Sequence, residues 1–448
     1  MSIQVSPAPI QAEGSSAAQA RANALARLLK LAQDHSAAFP EVSDRQQQAI
    51  ALLQEQALPS TRDEEWRFTD LSSLLTVDFQ AAPKTPAALT GEWLASHTLP
   101  EVQHRLVFVD GVYAPDMSAI APLPPGITVS TYSALSSTER VELQPYLATQ
   151  PGAEEVFTAL NTASLNEIAV IRVAKNQVLE SPLHLLFVST QAETPIVAQP
   201  RVLVIAEANS ALTLVEEYTG QENTRSLTNA VTEIWLGENA QVNHTRLQQE
   251  STRAFHIAKT AVSQARSSRY VGHAISFGAA LSRHHFEIYQ TGEQTETVLN
   301  GLTMIQGTQL ADTHSAIAYT KPYGTSRQLH KTIVGDRAHA VFNGKVFVPQ
   351  AAQLTDAGQL NRNLLLSPKA RVDAKPQLEI VADNVKCTHG ATVGQLDTDE
   401  VFYLQSRGID ADSARNLLIY AFAYEVIDQL PLDSLKQRLN QSVNILNR

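Results

Sequence analysis

The densest run of chemically capable side chains is Asp383-Asn384-Val385-Lys386-Cys387-Thr388-His389-Gly390. If the run is extended, the two-residue period of a strand puts Cys387 and His389 on one face and Lys386 and Thr388 on the other. A thiolate beside an imidazole, with a lysine near enough to favour the thiolate, makes half of a site for iron or zinc. Four-coordinate metal needs further ligands from elsewhere in the chain or from a second chain. Cys387 is the single cysteine of the sequence, which excludes an internal disulfide and an all-cysteine metal site within one chain. Two other readings fit the same residues. A Cys–His nucleophilic pair is one, although neighbours at i and i+2 stand side by side rather than face to face. The other is structural, with Cys387 a small buried hydrophobe and His389 a satisfied strand residue.

Elsewhere the signals are weaker. Histidines from His184 to His339 are scattered, and only His284-His285 are adjacent; in a strand those two point to opposite faces. Glu216-Glu217 and Asp397/Asp399/Glu400 imitate the carboxylate clusters of a polysaccharide-active enzyme, but a solvated acidic edge explains them more simply. Asn343-Gly344-Lys345-Val346 lacks the first glycine and the hydroxyl of a phosphate-binding loop. No dinucleotide-binding glycine turn, zinc-protease H-E-x-x-H or G-x-S-x-G elbow is present. The chain is therefore expected to bind no nucleotide.

Composition narrows the class. The 448 residues, 44% of them hydrophobic, allow two or three domains or one elongated repeat domain with a large core. A net charge of −11 argues against a surface built to neutralise nucleic-acid phosphates. The apolar run Leu417–Tyr424 is far below the roughly 20 residues of a membrane span. Residues 1–14 show neither a basic head nor an apolar stretch, so no secretory signal is expected. A soluble, cytoplasmic protein follows.

The elements that must position Cys387 and His389 divide into three stretches. Residues 1–165 open helical, over Ser16–Asp34 and again from Ser43, where Ser43 and Gln46 have capping-box spacing; prolines then favour short strands and the Asp110-Gly111 turn. Residues 166–404 are strand-rich: Ala169–Val173, Leu183–Ser189, Arg201–Ala206, Leu212–Glu217, Val231–Leu236, Phe286–Gln290, Val341–Val348, Leu378–Val381 and Val401–Leu404. Corners such as Glu207-Ala208-Asn209-Ser210-Ala211, Gly237-Glu238-Asn239-Ala240, Gly335-Asp336-Arg337-Ala338 and Ser367-Pro368-Lys369-Ala370 resemble one another. Their spacing, often roughly 30 residues, favours a β-solenoid over a β-sandwich. Residues 405–448 return to helix. Asp410 caps a segment with Ala414, Leu417, Leu418, Ala421 and Phe422 on one face, and Leu432, Leu435, Leu439, Val443 and Leu446 line a second. The pair is expected to cap the solenoid or to dock a partner.

The stretch from Lys375-Pro376-Gln377-Leu378-Glu379-Ile380 through Asp383–Gly394, on into Val401-Phe402-Tyr403-Leu404-Gln405-Ser406-Arg407-Gly408-Ile409, resembles the carboxy-terminal signature of the SufB/SufD family. Those proteins are scaffolds of the SUF iron–sulfur cluster assembly machine. Arg62-Asp63-Glu64-Glu65-Trp66-Arg67-Phe68-Thr69 looks like the E-x-W-[RK]-[YF]-T element near the start of the SufD branch. SufB-like chains carry a cluster-forming cysteine shortly before the signature; Asn361–Leu366 has none, which points to the SufD side. The resemblance implies a right-handed parallel β-helix flanked by helical ends. It implies pairing with SufB through the β-helix, and docking of the SufC ABC ATPase on the carboxy-terminal helices. It also implies a non-enzymatic role in iron acquisition and cluster formation. His389 maps onto the family's implicated histidine, and Cys387 is carried over beside it. Iron or a transient cluster shared with SufB is thus the expected cargo. The isolated chain is a possible homodimer, and a stand-alone β-helix polysaccharide-active enzyme is the competing reading.

Overall fold

Leu183–Ser189 and Arg201–Ala206 are buried at every position, as happens when a parallel sheet is covered on both faces. From Arg201–Ala206 onward each strand pairs in parallel with the next strand but one, so consecutive strands alternate between two sheets of eleven strands each. Ala211 pairs with Gln241 and Gln241 with Arg269, steps of 30 and 28 residues that each complete one coil. The computed structural model that shows this parallel β-solenoid describes residues 15–35, 39–190 and 194–446; the amino-terminal stretch read for a leader lies outside them.

The corners repeat for a local reason. Asn176, Asn209 and Asn239 all adopt a left-handed backbone, with φ of 63°, 59° and 57°, which asparagine tolerates better than most residues. Their amides form a ladder, Asn209 donating to Asn176 at 2.8 Å and Asn239 to Asn209 at 3.0 Å. Asp336 takes the same role with φ of 47°.

Helices cover the outer faces. Ser15–His35, Ser43–Gln54 and Val156–Ser164 pack Leu25, Leu28, Leu53, Phe157 and Leu160 against Leu227, Phe255 and Leu281 of the first sheet. The expected Ser43/Gln46 capping box does not form. Val42 stands at the cap position after a 3-10 turn, and the Gln46 amide donates to the Leu165 carbonyl instead. Tertiary contact has taken the side chain that the local motif required. Val156–Ser164 was not legible as a helix because its residues after the first are all buried and show no polar face.

The carboxy-terminal helices Ala411–Ile427 and Asp433–Leu446 lie along the outer face of the second sheet rather than over the end of the solenoid. Ile419, Ala423, Val426, Leu435 and Val443 meet Leu247, Ile275, Leu302 and Ile333 there. Asp410 caps the first helix as expected, accepting from the Ser413 amide at 2.9 Å. Its buried face is Ala414, Ile419, Ala423, Val426 and Ile427, while Leu417 and Ala421 are exposed; a helix apolar on nearly every side does not declare its face by periodicity. Leu432, Leu435, Leu439 and Val443 are buried as expected, and the Leu446 side chain lies outside the described residues. The strand expected at Val401–Leu404 is instead helix, Thr398–Ser406. Asp397 accepts from the Asp399 amide and the acidic Asp399 and Glu400 fill the first turn, a helix start that outweighs strand propensity.

One buried ionic group pins the last helix. Arg438 bonds Glu217 at 2.7 Å, and His184 lies 3.1 Å from the same carboxylate. Burial opposes ionisation of Glu217, but the Arg438 charge and the His184 hydrogen bond outweigh it and hold its pKa at about 2. A depressed carboxylate stabilises the fold above its ordinary pKa, and that contribution is lost as pH falls towards 2. Arg438→Met leaves the charge buried and unmatched, so chemical denaturation at pH 7 is expected to show a loss of about 3–5 kcal/mol. The difference between variant and wild type should narrow below about pH 4.

Candidate functional site

Cys387 and His389 sit on Lys386–Gln395, the last strand of the second sheet. Cys387 pairs with Ala357 and His389 with Gln359, both in register with inward-facing rows. Cys387 is half-buried against the lumen core, as are Leu378 and Val385, whereas His389 is exposed. They share one face, as the strand period required. Burial pushes the Cys387 thiol above its ordinary pKa and nearby Asp356 pushes it further; a backbone hydrogen bond with Ala357 only partly opposes them. Lys386 faces the other way, so the expected lysine assistance to a thiolate is not built.

The setting is an unpaired end. Arg371–Ile380 closes one sheet and Lys386–Gln395 the other, and both lie largely outside the buried core. Ile380, Val381 and Val393 are exposed around them. Two adjacent strand edges thus present unused backbone donors and acceptors together with an apolar rim, a template for another strand pair.

Other sequence candidates resolve differently. His284 points inward, within 3.0 Å of the Thr260 hydroxyl, while His285 points outward. Glu216 and Glu217 are not a solvated edge: both are fully buried. Glu216 lies in the lumen, accepting from Thr232 and Tyr218 at 3.0 Å, with His244 at 3.2 Å. Asp397, Asp399 and Glu400 are exposed helix-start residues, as a solvated edge would be. Sequence reasoning noted His285 but not its grouping with Glu155 and Glu287, whose ligand atoms lie within 4.8 Å of its own. Buried Lys259 is 3.0 Å from Glu155 and 2.5 Å from Glu287, so an ammonium already pairs with both carboxylates of that cluster.

The Glu64-Glu65-Trp66-Arg67-Phe68-Thr69 segment is a clasp on the outer face of the first sheet. The Arg283 guanidinium lies 4.1 Å from the Trp66 ring centre. Thr69 donates to Asp312 at 2.5 Å, Glu65 meets His314 at 3.2 Å, and Glu64 meets Lys375 of the last coil at 2.6 Å.

Comparison with known proteins fits this architecture. The SUF system FeS cluster assembly, SufBD core domain matches residues 187–422, and the SufBD protein N-terminal region matches residues 26–185. The chain belongs to the SufB/SufD family. It is 48% identical over 411 residues to an iron-sulfur cluster assembly SufBD family protein of Synechocystis, covering 90% of each chain. It is 34% identical over 400 residues to the iron-sulfur cluster assembly protein SufD of Escherichia coli, covering 89% of this chain and 91% of that one. It is 35% identical to a chloroplastic protein of Arabidopsis thaliana, over 86% of this chain and 82% of that one. This SufD-like chain therefore works in iron–sulfur cluster assembly within the SUF system, and a polysaccharide-active enzyme is not favoured. Among the described residues, no helix is long and apolar enough to cross a membrane.

The raised thiol gives a direct check. Alkylation of Cys387 by iodoacetamide in the isolated native chain at pH 7 should be slower than that of a free cysteine peptide. Its rate should keep rising above the pH at which the peptide levels off. A rate at or above the peptide's would show an activated thiolate.

Proposed function

We propose that the chain is a non-enzymatic scaffold subunit of a SUF assembly complex, acting in the cytoplasm, that pairs end to end with SufB through the open end of its solenoid. The observation carrying this is that Cys387 and His389 stand on the final strand, at a double sheet edge with an apolar rim. Strand pairing across that edge would bring the cysteines of a SufB-type chain against His389. Iron, or the cluster being assembled, is then cargo held between two chains. A ligand set divided in this way suits transfer, because a small movement of the interface changes the coordination.

In this reading His389 is the ligand contributed by the chain, being exposed at the edge. Cys387, half-buried with a raised thiol, contributes once the partner or metal stabilises its thiolate. SufC, which supplies the nucleotide chemistry, docks on the carboxy-terminal helical region. Phe402 and Tyr403 on helix Thr398–Ser406 and Leu417 and Tyr424 on helix Ala411–Ile427 are exposed there and offer the apolar anchors that such an interface needs. Alone, the chain would use the same free edge to pair with a second copy of itself.

His389→Ala in the reconstituted complex tests the reading. The variant should co-purify with SufB and SufC in normal amounts yet assemble little cluster, read by iron and sulfide content and visible absorbance. An intact complex with undiminished cluster would remove His389 from the site.

A further inference from the structure

The lumen stays polar as far as the open end. In the first sheet one inward row is apolar throughout: Val262, Ile288, Ile317, Val346 and Leu378 stack in register. In the second sheet the row that ends in His389 is reached through Gln328 and Gln359, and the row beside it passes from His330 to Asn361. Gln328, His330, Gln359 and Asn361 are each at most 4% exposed. These are costly residues to place where valine or leucine would pack.

Their polar atoms are left over. Both ring nitrogens of His330, both amide atoms of Gln359 and the Gln328 Nε2 have no hydrogen-bond partner among the described residues; the Gln328 Oε1 accepts from Ser315 at 2.8 Å. Burying polar atoms without partners destabilises a fold. The backbone nevertheless makes room for them. A methyl group at Gly301 would collide with the His330 ring, and one at Gly344, in the opposite sheet, would collide with the Gln359 amide. One aromatic ring lies near both: the His330 and Phe342 ring centres are 4.7 Å apart, and Phe342 is the other close neighbour of the Gly344 position.

We infer that His330, Gln328 and Gln359 form an uncharged binding site for ordered water inside the solenoid, directly behind Cys387 and His389. Neutral imidazole offers one donor and one acceptor, and the amides offer both kinds, so the site suits water rather than an ion. Burial keeps His330 neutral, holding its pKa down at about 4. The role assigned to this water rests on the scaffold reading. When a partner covers the open end, bulk solvent leaves the outer side of His389, and the lumen keeps its inner side hydrated.

The test counts water, not clusters. With roughly three hydrogen bonds per buried water, five unpartnered atoms accommodate about two. Water-oxygen magnetic relaxation dispersion on the full chain should show a loss of about two long-lived waters in His330→Phe/Gln359→Leu relative to wild type. Gln359→Met alone, which keeps length without polarity, should lose about one and serves if the double variant fails to fold. Equal counts in wild type and both folded variants would overturn the inference. Because this count involves no metal, undiminished cluster formation in His389→Ala would remove His389 from the cluster site while leaving the water site standing.

Discussion

Everything in this molecule depends on strands stacking in parallel and in register, one coil on the next. A parallel pair cannot be closed by a tight hairpin, so the chain must travel through the opposite sheet before returning. That excursion fixes the coil length near 30 residues, as in Ala211 to Gln241. It also turns each inward position into a row running the length of the lumen. A residue in such a row is selected against its neighbours above and below rather than against its own strand. The row through Gln328, Gln359 and His389 is intelligible only this way.

The same stacking separates two outer faces from the lumen between them. The first sheet's outer face is held by the amino-terminal helices and by the Glu64–Thr69 clasp, which reaches Lys375 in the last coil. The second sheet's outer face carries the carboxy-terminal helices, tied down by the buried Glu217–Arg438 pair and by Lys331 donating to the Phe422 carbonyl at 2.9 Å. Lys331 follows His330 in the same strand, so the helix anchor and the polar lumen are adjacent residues pointing to opposite faces. Movement of the helices would act on strands one and two coils from His389.

The solenoid was legible because its corners repeat in the sequence: the asparagine positions that gave the pattern are those whose left-handed backbone the turn requires. The strands Leu183–Ser189 and Arg201–Ala206 were legible as β-branched and leucine-rich runs. Others, such as Gln241–Gln249 and Thr325–Val334, were not, because their inward positions carry Arg246, Gln248, Gln328 and His330. A hydrophobic alternation cannot be read where the buried face is polar. The placement of the carboxy-terminal helices was equally hidden, since a stripe of apolar residues does not say which surface it will meet. For the site, period-two spacing gave the shared face of Cys387 and His389. It did not give the extent of the thiol's burial, which comes from packing against a lumen core assembled by the other coils.

The open end has a further consequence in the order of loosening. Every interior coil is braced by a neighbour on each side, but the coil bearing Cys387 and His389 is braced on one side only. In a quasi-one-dimensional stack, local opening starts where a nearest-neighbour interface is missing and costs least there. The coil that carries the chemistry is therefore the one most readily peeled away, and the Glu64–Lys375 clasp fastens that same coil from outside. Whatever covers the end supplies the missing interface and raises the cost of opening, so rigidity at His389 becomes a property of the assembled stack rather than of the single chain.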